Sequence, residues 1–234
     1  MVTSGLRGEN RSKHTPYNQL LMNTTDWIDV SATISDGMTR WPDDPPVRIF
    51  KAEQIGVEGA VANVTAIETT AHVGTHIDAP LHFIEGGMDA ASVPLEKLIG
   101  TAKVIRIQNK IKIGLEELQN HDIAGGSRIL FRTRNSDEAW EHEPFREDYV
   151  YLSTEAAKFL AERKINCVGI DYLSLGNRAN DPEVHRLMLD NNIIIIEGLK
   201  LKDIEPGEYE VICLPLKIKD SDGSPSRVII RKIP

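Results

Sequence analysis

From Trp27 onward, short runs of β-branched and other apolar residues alternate with longer mixed segments. The runs 27–30, 63–70, 104–107, 129–133, 168–170, 193–196, 210–214 and 228–233 read as strands. ILFRT, CVGID and IIIIEG are apolar almost throughout rather than alternating, the pattern of strands covered on both faces. Helix signals are fewer. Ser153 is placed to cap a helix over Thr154–Arg163, where Ala157, Phe159, Leu160 and Ala161 supply an apolar side. Asp181-Pro182 reads as an N-cap followed by proline at the first helical position, and 115–120 as a weaker third helix. Helices set between apolar strands predict an α/β architecture with a mixed sheet, richer in β in its first third. No linker, composition shift or internal repeat divides the chain. One domain over 24–234 is therefore expected, preceded by a polar 1–23 segment that reads as a tail or as an arm ordering on a partner subunit.

Composition narrows the function classes. The 234 residues are 41% hydrophobic and 26% charged, an ordinary globular mixture able to bury a core without a structural metal. A net charge of −8 and the lack of a Lys/Arg stripe argue against nucleic acid as a partner. No apolar run approaches the ~20 residues needed to cross a bilayer, and the first residues lack the apolar stretch of a secretory signal. The sequence reads as a soluble, cytoplasmic protein with no membrane partner. Cys167 and Cys213 sit in strand-like apolar stretches and are expected to be buried free thiols.

The histidines change the picture. Of seven, three (His72, His76 and His82) fall within eleven consecutive positions together with Asp78. His72 and His76 have the spacing of a helical zinc pair, but Gly74 and Pro80 disfavour a helix, and no Glu follows His72 as the metalloprotease motif requires. With a period of two, His72, Gly74, His76, Asp78, Pro80 and His82 share one face of a strand, and the opposite face is almost wholly apolar. Residues two apart on a strand are about 6.6 Å apart, so His76 and Asp78 form a natural chelating pair. His72 can join them only if the chain bends, which Gly74 permits. His82, equally far beyond Asp78, is better placed as an acid/base group than as a ligand. Imidazole and carboxylate suit Zn²⁺, Mn²⁺ or Fe²⁺, and the ligand set does not choose among them. The competing reading is an exposed strand face satisfied by water.

The segment HVGTHIDAPLHF carries all seven specified positions of HxGTHxDxPxH and resembles the cyclase family of metal-dependent hydrolases, which includes bacterial kynurenine formamidases and isatin hydrolases. Similarity extends from about 27 to 233, with further echoes in Trp41-Pro42-Asp43-Asp44-Pro45, Val168-Gly169-Ile170-Asp171 and Asp222-Gly223-Ser224-Pro225. The resemblance implies a swivelling β/β/α-type fold, a homodimer or higher homo-oligomer, metal ligation by His72, His76 and Asp78, and His82 as the catalytic acid/base. It also implies a second metal site, built in the formamidases from a later His and a Glu twelve positions on. His185 and Glu197 stand twelve apart here; the alternative makes them a helix-surface residue and a solvated strand end. Zn²⁺ is the first expectation, as one or two ions, and Mn²⁺ the alternative.

Hydrolysis of a small aromatic amide or lactone is then expected, with Asp78 able to bridge two ions and with Trp41 and Phe83 as candidate substrate contacts. Arylformamidase action on N-formylkynurenine is the first named activity, and ring opening of isatin its nearest competitor. The stretch after His82, including Ile84-Glu85-Gly86-Gly87-Met88, departs from the formamidase pattern and leaves the substrate open. Two further readings are a metal- or ligand-binding protein without turnover, and a lyase using the same metal and base. Asp222-Gly223 reads as a hairpin turn between 210–217 and 227–233. Nothing local requires Arg227 to reach the site.

Overall fold

The computed structural model of the chain describes residues 26–137 and 139–233, so the 1–23 segment lies outside the described residues. The strands run, in chain order, β1 (Trp27–Asp29), β2 (Arg48–Glu53), β3 (Val64–Glu68), β4 (His76–Asp78), β5 (Ile99–Arg106), β6 (Lys112–Ile113), β7 (Arg128–Arg132), β8 (Tyr151–Leu152), β9 (Cys167–Ile170), β10 (Ile194–Glu197), β11 (Gly207–Pro215) and β12 (Gly223–Lys232). The helices are α1 (Leu115–Leu118), α2 (Thr154–Arg163) and α3 (Asp181–Asp190).

The main sheet runs β1-β12-β11-β5-β7-β9-β10-β4, and β4 pairs again with β12, so the sheet closes into a ring. The strands β5, β7, β9 and β10 are parallel neighbours, and the remaining pairings in the ring are antiparallel. The mixed sheet and few helices agree with the α/β expectation. Strand alternation sorts the side chains into two cores. Ile77, Leu130, Ile194, Ile196, Val211 and Ile230 fill the ring. Ile129, Phe131, Val168, Ile170 and Ile195 face outward under α2 and α3, with Leu160, Val184 and Met188. Both faces of β9 and β10 are therefore buried, which is why these strands read as unbroken apolar runs. Ser153 caps α2, its side chain accepting a hydrogen bond from the Ala156 N–H at 3.3 Å.

Several expectations need correction. The strand-like face of 72–82 is a strand only over His76–Asp78; a 3-10 turn at Pro80–His82 breaks the period, because proline cannot continue the ladder. Asn180, not Asp181, is the N-cap of α3, which places Asp181 inside the first turn. Gly223 is not a turn residue; it opens β12 and pairs with Asp78. The strands β2, β6 and β8 went unpredicted. β6 and β8 are two residues each, and β2 pairs only with β3 as a ribbon apart from the ring.

One backbone contact locks the site strand. Gly74 and Gly198 both take positive φ, +57° and +68°, and a Cβ on Gly198 would lie against the Gly74 carbonyl oxygen. This close approach lets the Thr75 hydroxyl donate to the Gly198 carbonyl at 2.5 Å. Gly198→Ala should cost about 3 kcal/mol, from the clash added to left-handed strain. Gly37→Ala, with φ +69° but open space around it, should cost only about 1–2 kcal/mol. Urea unfolding of both variants checks this; equal midpoint shifts would remove the contact from the explanation.

Candidate metal centre and catalytic cleft

Alternation in the three-residue strand β4 sets the geometry. Ile77 enters the ring, while His76 and Asp78 point to the outer face, beside Glu197 and Ile195 on β10 in register. The helix α3 packs back over this end of β10 and delivers His185. His72 precedes the bend at Gly74, and His82 follows in the 3-10 turn. The structure thus brings His72, His76, Asp78, His82, His185 and Glu197 into one cluster. The surface-exposed alternative for His185 and Glu197 does not hold, since both are buried.

Two imidazoles are aimed in the same manner. The His76 Nδ1–H donates to the Gly74 carbonyl at 3.0 Å, and Nε2 lies 3.5 Å from Asp78 Oδ1 and 3.4 Å from Glu197 Oε2. The His185 Nδ1–H donates to the Asp181 carbonyl at 2.8 Å, and Nε2 lies 3.3 Å from both Asp78 Oδ2 and Glu197 Oε1. A backbone acceptor on one nitrogen fixes the tautomer and frees the other for a metal. His76 Nε2 and Asp78 Oδ2 are buried without a hydrogen-bond partner among the described residues. Buried polar atoms are rarely left in that state, and a divalent ion would satisfy both. The donor atoms fall into three overlapping groups: His72–His76–Asp78 and Asp78–His185–Glu197, which share Asp78, and the half-buried His72–His82–Asp222. These residues fit a divalent metal.

Charge is balanced tightly. Burial opposes a charge on His72, but Asp78 and Asp222 outweigh it and push the imidazole up to about 10. Burial likewise opposes a charged His185, which Asp78 and Glu197 nevertheless hold well above its usual value. Asp78 is buried, yet the imidazoles of His72 and His185 keep its carboxyl well below the carboxylate range. His82 moves the other way: burial lowers it and the neighbouring His72 and His185 add to the effect, against the pull of Asp78. A neutral imidazole at ordinary pH is the form that can accept a proton.

A cleft of about 200 Å³ opens onto the cluster, lined in part by Trp41, Phe83, Leu173, Ser174 and Asp181. Trp41 meets Phe145 edge-on at 5.2 Å, and Phe83 stacks on His185 at 4.8 Å and meets His82 edge-on at 4.6 Å. Both aromatic residues singled out from the sequence therefore border the cleft. Arg227 does not reach it, because Arg227 pairs with Asp29 at 2.9 Å.

Sequence reasoning missed Asp222 as a site residue. Its Oδ2 accepts from His72 Nε2 at 3.0 Å and from His82 Nδ1 at 3.2 Å. The Asp-Gly-Ser-Pro segment was the only local signal. Asp181 and Ser174, hydrogen-bonded to each other at the cleft wall, carried none.

The Cyclase family model ("Putative cyclase") matches residues 28–177, which include His72, His76, Asp78 and His82. The chain is 34% identical over 214 residues, 91% of its length and 100% of the relative's, to the kynurenine formamidase of Bacillus cereus. Identity to the Bacillus mycoides kynurenine formamidase is 35% over the same coverage. Among solved structures, a potential metal-dependent hydrolase with cyclase activity superposes with a TM-score of 0.77 at 32% identity, covering 89% of this chain and 98% of that one. Isatin hydrolase A from Labrenzia aggregata, at 22% identity, shares the fold with a TM-score of 0.74, covering 91% and 97% of the two chains. This chain is a member of the Cyclase family.

Proposed function

We propose that the protein is a metal-dependent hydrolase of a small aromatic amide, an arylformamidase that converts N-formylkynurenine or a close relative to the arylamine and formate. One observation carries the reading. The buried His76 and His185 each spend Nδ1 on a backbone carbonyl and turn Nε2 toward the shared carboxylate of Asp78. The 34% identity to kynurenine formamidases along their full length supports the substrate class.

In this reading His72, His76 and Asp78 hold one divalent ion and Asp78, His185 and Glu197 a second, Zn²⁺ first and Mn²⁺ as the alternative. Bound there, the metal supplies the Lewis acidity that polarises a carbonyl and makes hydroxide available near neutral pH. His82 takes the proton from the attacking water and returns it to the leaving nitrogen. The new C–O bond thus replaces the C–N bond, and one water is added overall. Trp41 and Phe83 flank the substrate ring at the cleft mouth. Association of two or more copies is part of this reading, and the β2–β3 ribbon offers it exposed apolar side chains on both faces, Phe50 on one and Ile67 on the other. Buried free thiols at Cys167 and Cys213 suit a cytoplasmic setting.

Protein loaded with Zn²⁺ or Mn²⁺ should release formate from N-formylkynurenine, with products heavier by one water in total. His82→Ala should keep its metal and lose about 10²–10⁴ in kcat, whereas His76→Ala should lose metal and activity together. A fully loaded wild type inert toward both N-formylkynurenine and isatin would sink this function; equal rates for wild type and His82→Ala would sink the mechanism. Since His72 is protonated below about pH 10 without metal, loading at pH 7 must displace its proton. Calorimetry in buffers of different ionisation enthalpy should report release of about one to two protons, with affinity rising as pH rises. A buffer-independent heat would contradict this assignment.

A further inference from the structure

The Asp222 side chain lies outside the two donor groups that share Asp78; it closes a third, half-buried group with His72 and His82, and the chain builds a rigid mount for it. It ends the connection between β11 and β12, about 140 residues beyond the histidines it touches. Its carbonyl accepts from the Ala79 N–H at 2.9 Å, one residue past Asp78. The preceding Ser221 carbonyl accepts from the Ala90 N–H at 2.8 Å, and the Ser221 hydroxyl donates to the Gly223 carbonyl at 2.7 Å. Two residues earlier, the Asp220 N–H donates to Asp89 Oδ2 at 2.7 Å. The next residue, Gly223, pairs with Asp78 across β12 and β4, and a Cβ there would approach His72 Cε1 to 2.7 Å. Backbone on both sides of Asp222 is therefore anchored to the segment that carries the site.

The carboxylate is aimed accordingly. A single oxygen, Oδ2, accepts from His72 Nε2 and His82 Nδ1, whose rings stand 4.1 Å apart with a 31° tilt. Accepting from His82 at Nδ1 holds the proton on that nitrogen and leaves the Nε2 lone pair as the free base. It also fixes the plane of the imidazole, which sits in a short 3-10 turn and has no other side-chain hydrogen-bond partner among the described residues. On the His72 side, the same oxygen leaves Nδ1 facing Asp78 Oδ1 at 2.8 Å.

We propose that Asp222 is the positioning residue of the acid/base group: its carboxylate selects the Nδ1–H tautomer of His82 and orients the ring, with Nε2 free to exchange the proton of the reaction. This rests on His82 being the acid/base of the hydrolase proposed above. During turnover the anion compensates the positive charge that His82 acquires when Nε2 is protonated, and no proton passes to Asp222 itself.

The test uses full-length, Zn²⁺-loaded wild type, Asp222→Ala and Asp222→Asn. Long-range ¹H–¹⁵N spectra of the histidine rings read the tautomer independently of activity. Wild type should show His82 as Nδ1–H, Asp222→Asn should retain that form through its amide oxygen, and Asp222→Ala should lose it. Zinc content should be unchanged in all three. On N-formylkynurenine, kcat should fall about 10–100-fold in Asp222→Ala and less in Asp222→Asn. KM should stay within about twofold. His82 remaining Nδ1–H in Asp222→Ala would overturn the proposal. So would loss of zinc in step with activity in both variants, which would make Asp222 a metal ligand. Should loaded wild type hydrolyse neither N-formylkynurenine nor isatin, the hydrolase reading fails, while the tautomer spectra still decide what Asp222 does to His82.

Discussion

The Asp78 carboxylate is fully buried and faces three imidazoles: His72 Nδ1 at 2.8 Å, His76 Nε2 at 3.5 Å and His185 Nε2 at 3.3 Å. A carboxylate so far from water keeps its charge only while cationic or metal partners surround it. Everything else in the site follows from meeting that requirement. Strand β4 supplies Asp78 and His76, helix α3 supplies His185, and β10 supplies Glu197. Each arrives from an element whose other side is locked into a hydrophobic core, so the polar cluster does not have to hold itself together.

The division of labour along the strands makes this workable. On β4 the central Ile77 fills the ring while its two neighbours face the cleft; on β10, Ile194 and Ile196 face inward while Ile195 and Glu197 face outward. The two cores flank the sheet, and the polar cluster replaces apolar residues on its outer face only where β4 enters between β10 and β12. Fixed backbone acceptors at Gly74 and Asp181 then set the ring orientations. Pre-orientation of this kind matters in a dry site, because a ligand free to turn would pay its ordering cost on every binding event. Opposed protonation tendencies on neighbouring imidazoles complete the arrangement. His72 and His185 are held charged by carboxylates in the absence of metal, while His82 is pushed toward neutrality.

Legibility from sequence followed the range of the interactions. The shared face of His76 and Asp78 could be read from a period of two, since alternation on a strand is a local property, and the bend at Gly74 could be read from the need to bring His72 back. The same period failed past Ala79, because Pro80 starts a 3-10 turn that rotates His82 toward His72. Helix α2 was legible through its serine cap and apolar side. The start of α3 was displaced by one residue because Asn180 and Asp181 are both good cap residues, and Asn180 takes the cap while its side chain bonds the Asn177 N–H and the Leu152 carbonyl instead of the helix. The ribbon of β2 and β3 was half seen. Its first strand is a largely exposed, charged segment with no apolar face to announce it.

The sequence alone determined the chemistry of the HVGTHIDAPLHF segment, the buried character of the central strands and, through family resemblance, the pairing of His185 with Glu197. Those are properties of residue type, spacing and short-range backbone preference. Tertiary structure alone decided that the sheet closes, that Asp78 stands between two groups of donors, and that Asp222 reaches His72 and His82. Contacts between residues up to about 150 positions apart depend on ring closure and helix packing, and no local pattern encodes them.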